Sequence, residues 1–237
     1  MAVNAPLNGL RVALVMPARD EAEALPQVLP HLPCWLAQVI VVDNGSRDGT
    51  AAIARAHGAT VVSEPRRGYG QACLAGLAVI EDGAEVVVFM DADASDSPAE
   101  MAGLVAPIAS GEAVLVIGSR TLGASEPGAL TPQQRLGNAL ACALIRLIWG
   151  VRYSDLGPFR AIRRDSLAPL GMQDRTWGWT VEMQVKAARA GIAVREVPVS
   201  YRRRIGQSKI SGTVMGSLRA GLRILAVIGR EALRRRA

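Results

Sequence analysis

Five short runs of apolar, mostly β-branched residues divide the first half of the chain, and segments long enough for a helix separate them. Runs of this kind are typical of strands that a parallel sheet buries on both faces. Their alternation with helical segments predicts an α/β fold, a Rossmann-like and mostly parallel sheet flanked by helices. The predicted strands are residues 10–16, 39–42, 60–63, 86–90 and 114–117, and the predicted helices lie near residues 21–32, 48–57, 68–81 and 98–109.

The chain has 237 residues, half of them apolar, which is enough for one large domain. Its three cysteines are isolated and its two histidines lie far apart, so neither a zinc site nor a disulfide framework is expected. We see no signal segment and no run of about 18 apolar residues that would span a membrane. The sequence therefore predicts a cytoplasmic protein.

Polar residues follow all five predicted strands, in residues 17–21, 43–50, 64–70, 91–93 and 118–120. Ligands of open parallel sheets bind outside the carboxyl ends of the strands, so these residues are candidates for a binding site. The fourth strand ends in Asp91-Ala92-Asp93, two carboxylates of the kind that hold Mg²⁺ together with the phosphates of a substrate. A solvated turn or a helix cap is the alternative reading of this tripeptide.

Two nucleotide-binding patterns are missing from the sequence. No Gly-x-Gly-x-x-Gly follows the first predicted strand, and Gly-x-x-x-x-Gly-Lys-Ser/Thr does not occur. These absences exclude the dinucleotide oxidoreductases and the P-loop proteins that carry those patterns.

The motifs taken in order resemble the family 2 glycosyltransferases of GT-A fold, in particular the branch of dolichyl-phosphate mannose and glucose synthases. The resemblance covers roughly residues 10–212, and we expect residues 1–212 to form one GT-A domain. Asn44 stands where the family often has Asp, and Ser95 where the mannose-synthase branch often has Gln. The matching segments are residues 17–21, 42–50, 67–70, 91–93, 118–120, 155–160 and 207–210.

The resemblance implies a nucleotide diphosphate sugar, a UDP- or GDP-sugar, as one substrate. It implies that Asp91 and Asp93 are catalytic and hold the metal-bound diphosphate, with Mg²⁺ or Mn²⁺ on Asp93. Asp91 would assist the metal directly, through water, or by contacting the ribose or sugar. A cation there would stabilise the charge that develops on the leaving group. The residues implied for the base and ribose are Pro17, Ala18, Glu21, Asp43 and Gly68.

Five basic residues look like those with which the polyprenyl-phosphate branch binds its lipid phosphate. Arginine suits bidentate phosphate recognition, and lysine adds a compact charge. The alternative is that these are solvated surface charges. They are Arg120, Arg135, Arg202, Arg204 and Lys209.

Glu182 looks like the acidic position that many family members use as a general base on a hydroxyl acceptor. A phosphate acceptor is already ionised near neutral pH and needs no such base. Glu182 then orients a substrate or an arginine, or it forms a helix ion pair with Lys186 four residues later.

The C-terminal residues carry the whole positive excess of the chain. Residues 1–199 hold 17 basic and 20 acidic side chains, whereas residues 200–237 hold 10 and 1. Residues 213–237 predict a basic amphipathic helix, since Arg219, Arg223, Arg230 and Arg234 fall within about 60° on a helix. Such a helix lies at a membrane surface with arginines at the headgroups, or packs its apolar side on protein. That apolar side consists of Val214, Leu218, Leu222, Leu225 and Ile228.

These features predict an inverting, metal-dependent transfer of glucose or mannose from a nucleotide sugar to polyprenyl phosphate, at the cytoplasmic face of a membrane. The inversion is implied by the resemblance alone. One alternative acceptor is a small phosphorylated molecule such as phosphoglycerate, and a different class is a non-catalytic, nucleotide-responsive membrane-binding module. Nucleic acid is not an expected partner, because aromatic residues make up only 4% of the chain. Homo-oligomerisation stays open.

Overall fold

The computed structural model describes residues 9–206 and 214–234, with side chains from residue 219 onward in the last segment. Seven strands form one sheet in the order β3-β2-β1-β4-β6-β5-β7. The strands are β1 (Val12–Ala18), β2 (Gln38–Asp43), β3 (Thr60–Ser63), β4 (Val86–Phe89), β5 (Leu115–Ser119), β6 (Arg160–Arg163) and β7 (Val194–Pro198).

The described ranges contain eight α-helices, with short 3₁₀ turns at Leu29–His31 and Pro98–Glu100. Each of the four predicted helices corresponds to an observed helix or to a helix joined to such a turn. The helices are α1 (Leu25–Val28), α2 (Thr50–Ala56), α3 (Tyr69–Leu77), α4 (Met101–Ala109), α5 (Pro132–Trp149), α6 (Arg164–Leu170), α7 (Trp179–Arg189) and α8 (Val214–Arg234).

The predicted α/β architecture is confirmed, and the sheet is mostly parallel because β6 alone among the described strands runs antiparallel to its neighbours. The carboxyl ends of the six other strands therefore meet at one edge of the sheet. β1 pairs with β2 up to Ala18 and Asp43, and on its other side with β4, which leads into Asp91. The chain that enters β6 also crosses this edge, which brings residues 155–159 to the same side.

The core has two layers, one on each face of the sheet, as the strand pleat requires. Val86 and Val88 of β4 face the layer that contains α1 and α4, whereas Val87 and Phe89 face the layer that contains α3, α5 and α7. α8 packs against α5 and α7, and buries Val227 and Ile228 there. The result is a three-layer α/β/α arrangement with an open edge at the strand ends.

Candidate functional site

A cavity of about 390 Å³ opens where β1, β2 and β4 end, a size that suits a small-molecule ligand. It contains all but one of the residues that the sequence predicts for the nucleotide and the metal. Residues that the sequence does not predict, from α3 and from residues 176–177, complete the wall. The cavity is lined by Pro17, Ala18, Arg19, Glu21, Asn44, Arg67, Gly68, Tyr69, Ala72, Asp91, Ala92, Asp93, Thr176, Trp177 and Arg204.

Asp43 is the predicted nucleotide residue that does not line the cavity. It ends β2, and its Oδ1 accepts a hydrogen bond of 2.9 Å from the backbone N–H of Ser46. This bond closes the turn after β2, and the ribose contact of Asp43 stays a prediction.

Asn44, the next residue, holds the wall of the cavity together. Its side-chain nitrogen donates to the carbonyls of Glu64 and Arg66, each at 2.8 Å, and its side-chain oxygen accepts from the N–H of Gly68 at 2.8 Å. An amide can donate and accept at once, whereas an ionised carboxylate only accepts. The position where the family often has Asp therefore needs Asn in this chain.

Gly68 lets the chain pass close to a neighbouring segment. Its φ of +147° is a conformation that glycine adopts readily and other residues rarely adopt. A Cβ there would also collide with the carbonyl oxygen of Arg175. A Cβ on Gly70 would collide in the same way with the carbonyl oxygen of Asp174. The two glycines thus allow residues 174–176 to lie against the start of α3, beside the cavity.

The loop after β4 carries three carboxylates, with Asp93 and Asp96 buried and Asp91 partly buried. Asp93 is 4% exposed, and its Oδ2 lies 3.2 Å from Nη1 of Arg204. Its Oδ1 accepts from the N–H of Ser95 at 3.0 Å. One buried oxygen of Asp91 and one of Asp96 have no hydrogen-bond partner among the described residues. The loop therefore has buried carboxyl oxygens that the described residues leave without a partner.

Burial, and after it the nearby negative charge of Asp93, raise the pKa of Asp91 from its usual value of 3.8 to about 7. The positive charges of Arg204 and Arg120 act against this rise. Burial also raises the pKa of Asp96 well above its usual value. Carboxylates that resist ionisation in isolation are suited to bind a cation, which favours the charged form.

The residues present fit a hard divalent cation. No group of three or more His, Cys, Asp or Glu side chains within the described residues is placed to hold a metal by itself. Mg²⁺ and similar ions are, however, commonly held by one or two carboxylates together with substrate phosphates. Asp91, with its unpartnered oxygen, and Asp93 supply these two carboxylates at the cavity wall.

A second cavity of about 400 Å³ lies beside β5 and the start of α5. Two of the predicted phosphate-binding residues, Arg120 and Arg135, line it. Tyr201, whose ring lies 5.0 Å from the guanidinium of Arg120, pairs with Asp96 of the loop after β4, so Arg120 also lies near the first cavity. The remaining lining residues are small or polar, except for one leucine. They are Thr121, Gly123, Ser125, Leu130, Asn138, Ala139 and Ser154.

Arg120 is fixed in place between neighbouring side chains. Its Nε and Nη2 each donate to the buried carboxylate of Asp155 at 2.7 Å, and its guanidinium lies 5.0 Å from the ring centre of Tyr201. Part of its hydrogen-bonding capacity is thus already used. Arg135 is exposed at the first turn of α5.

The other predicted phosphate-binding residues lie elsewhere. Arg204 belongs to the first cavity, where it pairs with Asp93, and Arg202 has an exposed side chain while its N–H donates to the carbonyl of Ser95 at 2.9 Å. Lys209 lies outside the described residues. Arg204 is therefore placed beside the predicted diphosphate site and not in the second cavity.

Residues 13–171 match the profile of "Glycosyl transferase family 2", more than half of the chain. The chain belongs to this family. A relative described as an uncharacterized glycosyltransferase from Mycobacterium tuberculosis is 40% identical over 94% of this chain and 100% of its own length. The protein is thus a family 2 glycosyltransferase, as the sequence predicts.

Two further relatives of this glycosyltransferase carry names that state an acceptor. The undecaprenyl-phosphate mannosyltransferase of Micrococcus luteus is 30% identical, over 87% of this chain and 90% of its own. The dolichyl-phosphate hexose transferase of Haloferax volcanii is 31% identical, over 94% of this chain and 96% of its own.

Solved structures confirm the GT-A fold of this glycosyltransferase. Glucosyl-3-phosphoglycerate synthase from Mycobacterium tuberculosis, in complex with Mn²⁺, UDP-glucose and phosphoglyceric acid, has a TM-score of 0.73 at 24% identity, covering 95% of this chain and 82% of its own. Mannosyl-3-phosphoglycerate synthase from Rubrobacter xylanophilus has a TM-score of 0.76 at 19% identity, covering 97% of this chain and 79% of its own.

Glu182, the predicted general base, is fully buried in α7 of this glycosyltransferase and does not line either cavity. Its Oε1 lies 2.9 Å from Nζ of Lys186 and 3.1 Å from Nη2 of Arg230, and its Oε2 accepts from the N–H groups of Gln173 and Asp174. The ion pair with Lys186, the alternative reading, is present. Cations and backbone N–H groups engage both carboxylate oxygens, which argues against a general-base role for Glu182.

The arginines of α8 bind carboxylates of the glycosyltransferase. Arg223 lies 2.8 Å from Asp174, Arg230 contacts Glu182, and Arg234 contacts Glu231. Among the apolar residues predicted for the opposite side, Ile228 is buried, whereas Leu222 and Leu225 are exposed. The side chains of Val214 and Leu218 lie outside the described part. The amphipathic helix is confirmed. Three of its arginines contact carboxylates of the protein, whereas the membrane hypothesis would place them at lipid headgroups.

The segment that carries Thr176 and Trp177 into the first cavity depends on this helix. Asp174 Oδ1 accepts from the N–H of Thr176 at 2.7 Å, and Arg223 holds the other oxygen of Asp174. The N–H of Gly70 donates to the carbonyl of Thr176 at 3.1 Å. The sequence alone does not place Trp177, since its position is set by bonds from α3 and α8 that are distant in the chain.

Proposed function

We propose that this family 2 glycosyltransferase moves a hexose, glucose or mannose, from a UDP- or GDP-sugar to polyprenyl phosphate. The observation that carries the proposal is the position of Arg120. It lines the cavity that also contains Arg135, and its guanidinium lies 5.0 Å from the ring centre of Tyr201, which pairs with Asp96 of the carboxylate loop. An acidic site for a metal-bound diphosphate and a basic site for a second phosphate thus lie side by side.

The donor occupies the first cavity in this proposal. Pro17, Ala18, Glu21 and Gly68 contact the base and ribose, with Asp43 in support from the end of β2. Asp91 and Asp93 hold the diphosphate through Mg²⁺ or Mn²⁺, and when bound such a cation would stabilise negative charge on the leaving diphosphate. The Mn²⁺ and UDP-glucose in the structure of glucosyl-3-phosphoglycerate synthase support this assignment.

The acceptor occupies the second cavity. Arg120, held by Asp155, and Arg135 bind the lipid phosphate and turn one of its oxygens towards the anomeric carbon. That oxygen forms the new bond to carbon while the bond from carbon to the diphosphate oxygen breaks, and the nucleoside diphosphate leaves with the electron pair. Arg204 lies beside Asp93, where its charge stabilises the leaving group.

A phosphate acceptor also accounts for the surroundings of Glu182. Since the attacking oxygen is already ionised near neutral pH, the reaction requires no general base. Glu182 can then serve the fold, and its four close contacts to cations and N–H groups agree with that role.

The proposed acceptor is a membrane lipid, so the enzyme would act at a membrane. We propose that it acts at the cytoplasmic face. No helix within the described residues is long and apolar enough to cross a bilayer. α8 exposes Leu222, Leu225 and Leu233, which are available for contact with lipid. The names of the relatives from Micrococcus luteus and Haloferax volcanii support a polyprenyl acceptor.

The test incubates purified enzyme and Mg²⁺ or Mn²⁺ with labelled UDP-glucose or GDP-mannose, and with polyprenyl phosphate or 3-phosphoglycerate. We expect label in the organic extract only with polyprenyl phosphate, and no transfer after chelation of the metal. Formation of a water-soluble glycoside of phosphoglycerate would overturn the lipid acceptor, although the protein would still act as a glycosyltransferase. Failure of every donor with polyprenyl phosphate would overturn the proposal.

A further inference from the structure

α5 carries an apolar stripe that the rest of the protein leaves exposed. The exposed fractions of Leu136, Leu140 and Leu147 are 72%, 50% and 81%. With Ala143, which is also exposed, these residues fall within about 60° of one another at ~100° per residue. Soluble proteins expose few large apolar side chains in one row unless the row contacts a partner or a membrane. We call these four residues the leucine stripe.

The leucine stripe borders the second cavity. Arg135, Asn138 and Ala139 of α5 line that cavity, and Leu136 and Leu140 are their immediate neighbours in the chain. Whatever covers the stripe therefore lies next to the rim of the cavity. A flat protein surface there would restrict entry to the rim, whereas a bilayer would present its own phosphates to it.

The charge around the leucine stripe suits an anionic surface. α5 contains two exposed arginines, Arg135 and Arg146, and no acidic residue. Arginines beside an apolar helix face are typical of helices that lie in the interface of anionic membranes. The neighbouring helix α8 exposes three leucines as well.

We propose that the leucine stripe is a docking surface for an anionic lipid bilayer. The leucines enter the boundary between headgroups and acyl chains, and Arg135 and Arg146 lie among the headgroup phosphates. The second cavity then opens at the level of the headgroups, where the phosphate of a membrane-bound acceptor lies. The purpose of this docking rests on the proposed function, but the docking itself is measured without any reaction.

The test is sedimentation of the full-length protein with vesicles of phosphatidylglycerol and phosphatidylcholine, in the absence of sugar nucleotide. The variant L136S/L140S/L147S removes the apolar side chains, and we expect its vesicle affinity to fall by at least about tenfold. L136F/L140F/L147F keeps the apolar character and should bind as the wild type does. V79S, at an exposed position where α3 ends, is the control for an unrelated surface.

Two results would overturn the proposal. One is equal vesicle affinity of the wild type and the serine variant. The other is a wild type that is dimeric by light scattering and a serine variant that is monomeric, since the stripe would then contact a second copy. Thermal unfolding of each variant shows whether it is folded before it is compared.

An activity assay in detergent separates this inference from the proposed function. The serine variant should transfer hexose to detergent-solubilised polyprenyl phosphate at a rate within about twofold of the wild type, because the stripe is not part of either cavity. Vesicle binding that depends on the leucines, together with no transfer by the wild type, would contradict the function alone. Transfer without such binding would contradict the docking surface alone.

Discussion

Two groups of buried or partly buried carboxylates in the protein have opposite surroundings. Asp91, Asp93 and Asp96 follow β4, where Arg204 forms the one direct ion pair found for them within residues 9–206 and 214–234. The second group lies where α7 meets α8 and is surrounded by five cations. Its members are Asp174, Glu182 and Glu231, and the cations are Lys186, Arg189, Arg223, Arg230 and Arg234.

This difference separates a binding site from a structural junction. Burying a charge without a partner costs several kcal/mol, and the second group offsets this cost with ion pairs inside the protein. The first group retains unpartnered oxygens on Asp91 and Asp96 and a raised pKa on Asp91, so its charge is compensated by a bound proton or by a ligand. A cation with a nucleotide diphosphate supplies this compensation in the proposed function.

Asp93→Asn should have the largest effect on catalysis. It removes one of the two proposed metal-binding carboxylates, and we expect the rate of hexose transfer to fall by about 10³-fold, the order seen when one group that stabilises charge in the transition state is lost. The melting temperature should stay close to that of the wild type, because loss of the ion pair with Arg204 is offset by loss of the repulsion between Asp93 and Asp91. Asp82→Asn, at an exposed position, is the matched control. A rate within threefold of the wild type would remove Asp93 from the mechanism.

Glu182→Gln should lower stability and leave the transfer rate nearly unchanged, the reverse of what Asp93→Asn does. Lys186 and Arg230 would lose the carboxylate between them, and breaking a buried ion pair lowers the free energy of unfolding by about 3 kcal/mol. Urea denaturation measures this loss. The transfer rate per folded molecule should remain within a few fold of the wild type. A stable variant with an abolished rate would restore the general-base hypothesis for Glu182.

Asn44→Asp should weaken the wall of the donor cavity. A carboxylate cannot donate to the carbonyls of Glu64 and Arg66, and we expect about 1–3 kcal/mol less stability together with weaker binding of nucleoside diphosphate by calorimetry. Asn138→Asp is the matched control, since that amide also joins two backbone groups but lines the second cavity. Equal nucleotide affinity in the two variants would contradict the position given to Asn44.

The smallest expected effect is on the pH dependence of metal binding. The pKa of Asp91 is raised in the folded protein to about 7, so the folded state holds this proton at pH 6, and stability from protonation is lost as pH rises through 7. A bound cation replaces the proton. Mg²⁺ or Mn²⁺ should therefore raise the melting temperature by a few degrees more at pH 8 than at pH 6. An equal increase at both pH values would show that Asp91 does not bind the metal.

The fold of the first half could be predicted because its strands are apolar runs with polar ends. β1 to β5 lie within two residues of their predicted bounds, and the polar ends meet because those strands are parallel. β6 and β7 carry no such signal. β6 is four residues long, antiparallel, and has Arg160 and Arg163 at its ends, so only pairing with β4 and β5 defines it.

The part of the candidate site that follows the strands could be predicted from the sequence in the same way. Residues at strand ends, such as Pro17, Gly68 and Asp91, line the cavity as their positions indicate. Glu182 and the arginines of α8 show why the remaining contacts could not be predicted. A helical pattern indicates which side of the helix a residue lies on, whereas its partner on that side depends on tertiary packing. Arg204 likewise reaches Asp93 only because β7 ends beside β5.

Mass spectrometry of the organic extract, after incubation of the wild type with a nucleotide sugar, metal and polyprenyl phosphate, tests the proposed reaction most directly. We predict a hexose joined to a polyprenyl chain through a single phosphate, together with one nucleoside diphosphate released for each transfer. A hexose joined through two phosphates, or the appearance of the hexose only on a water-soluble acceptor, would contradict this account.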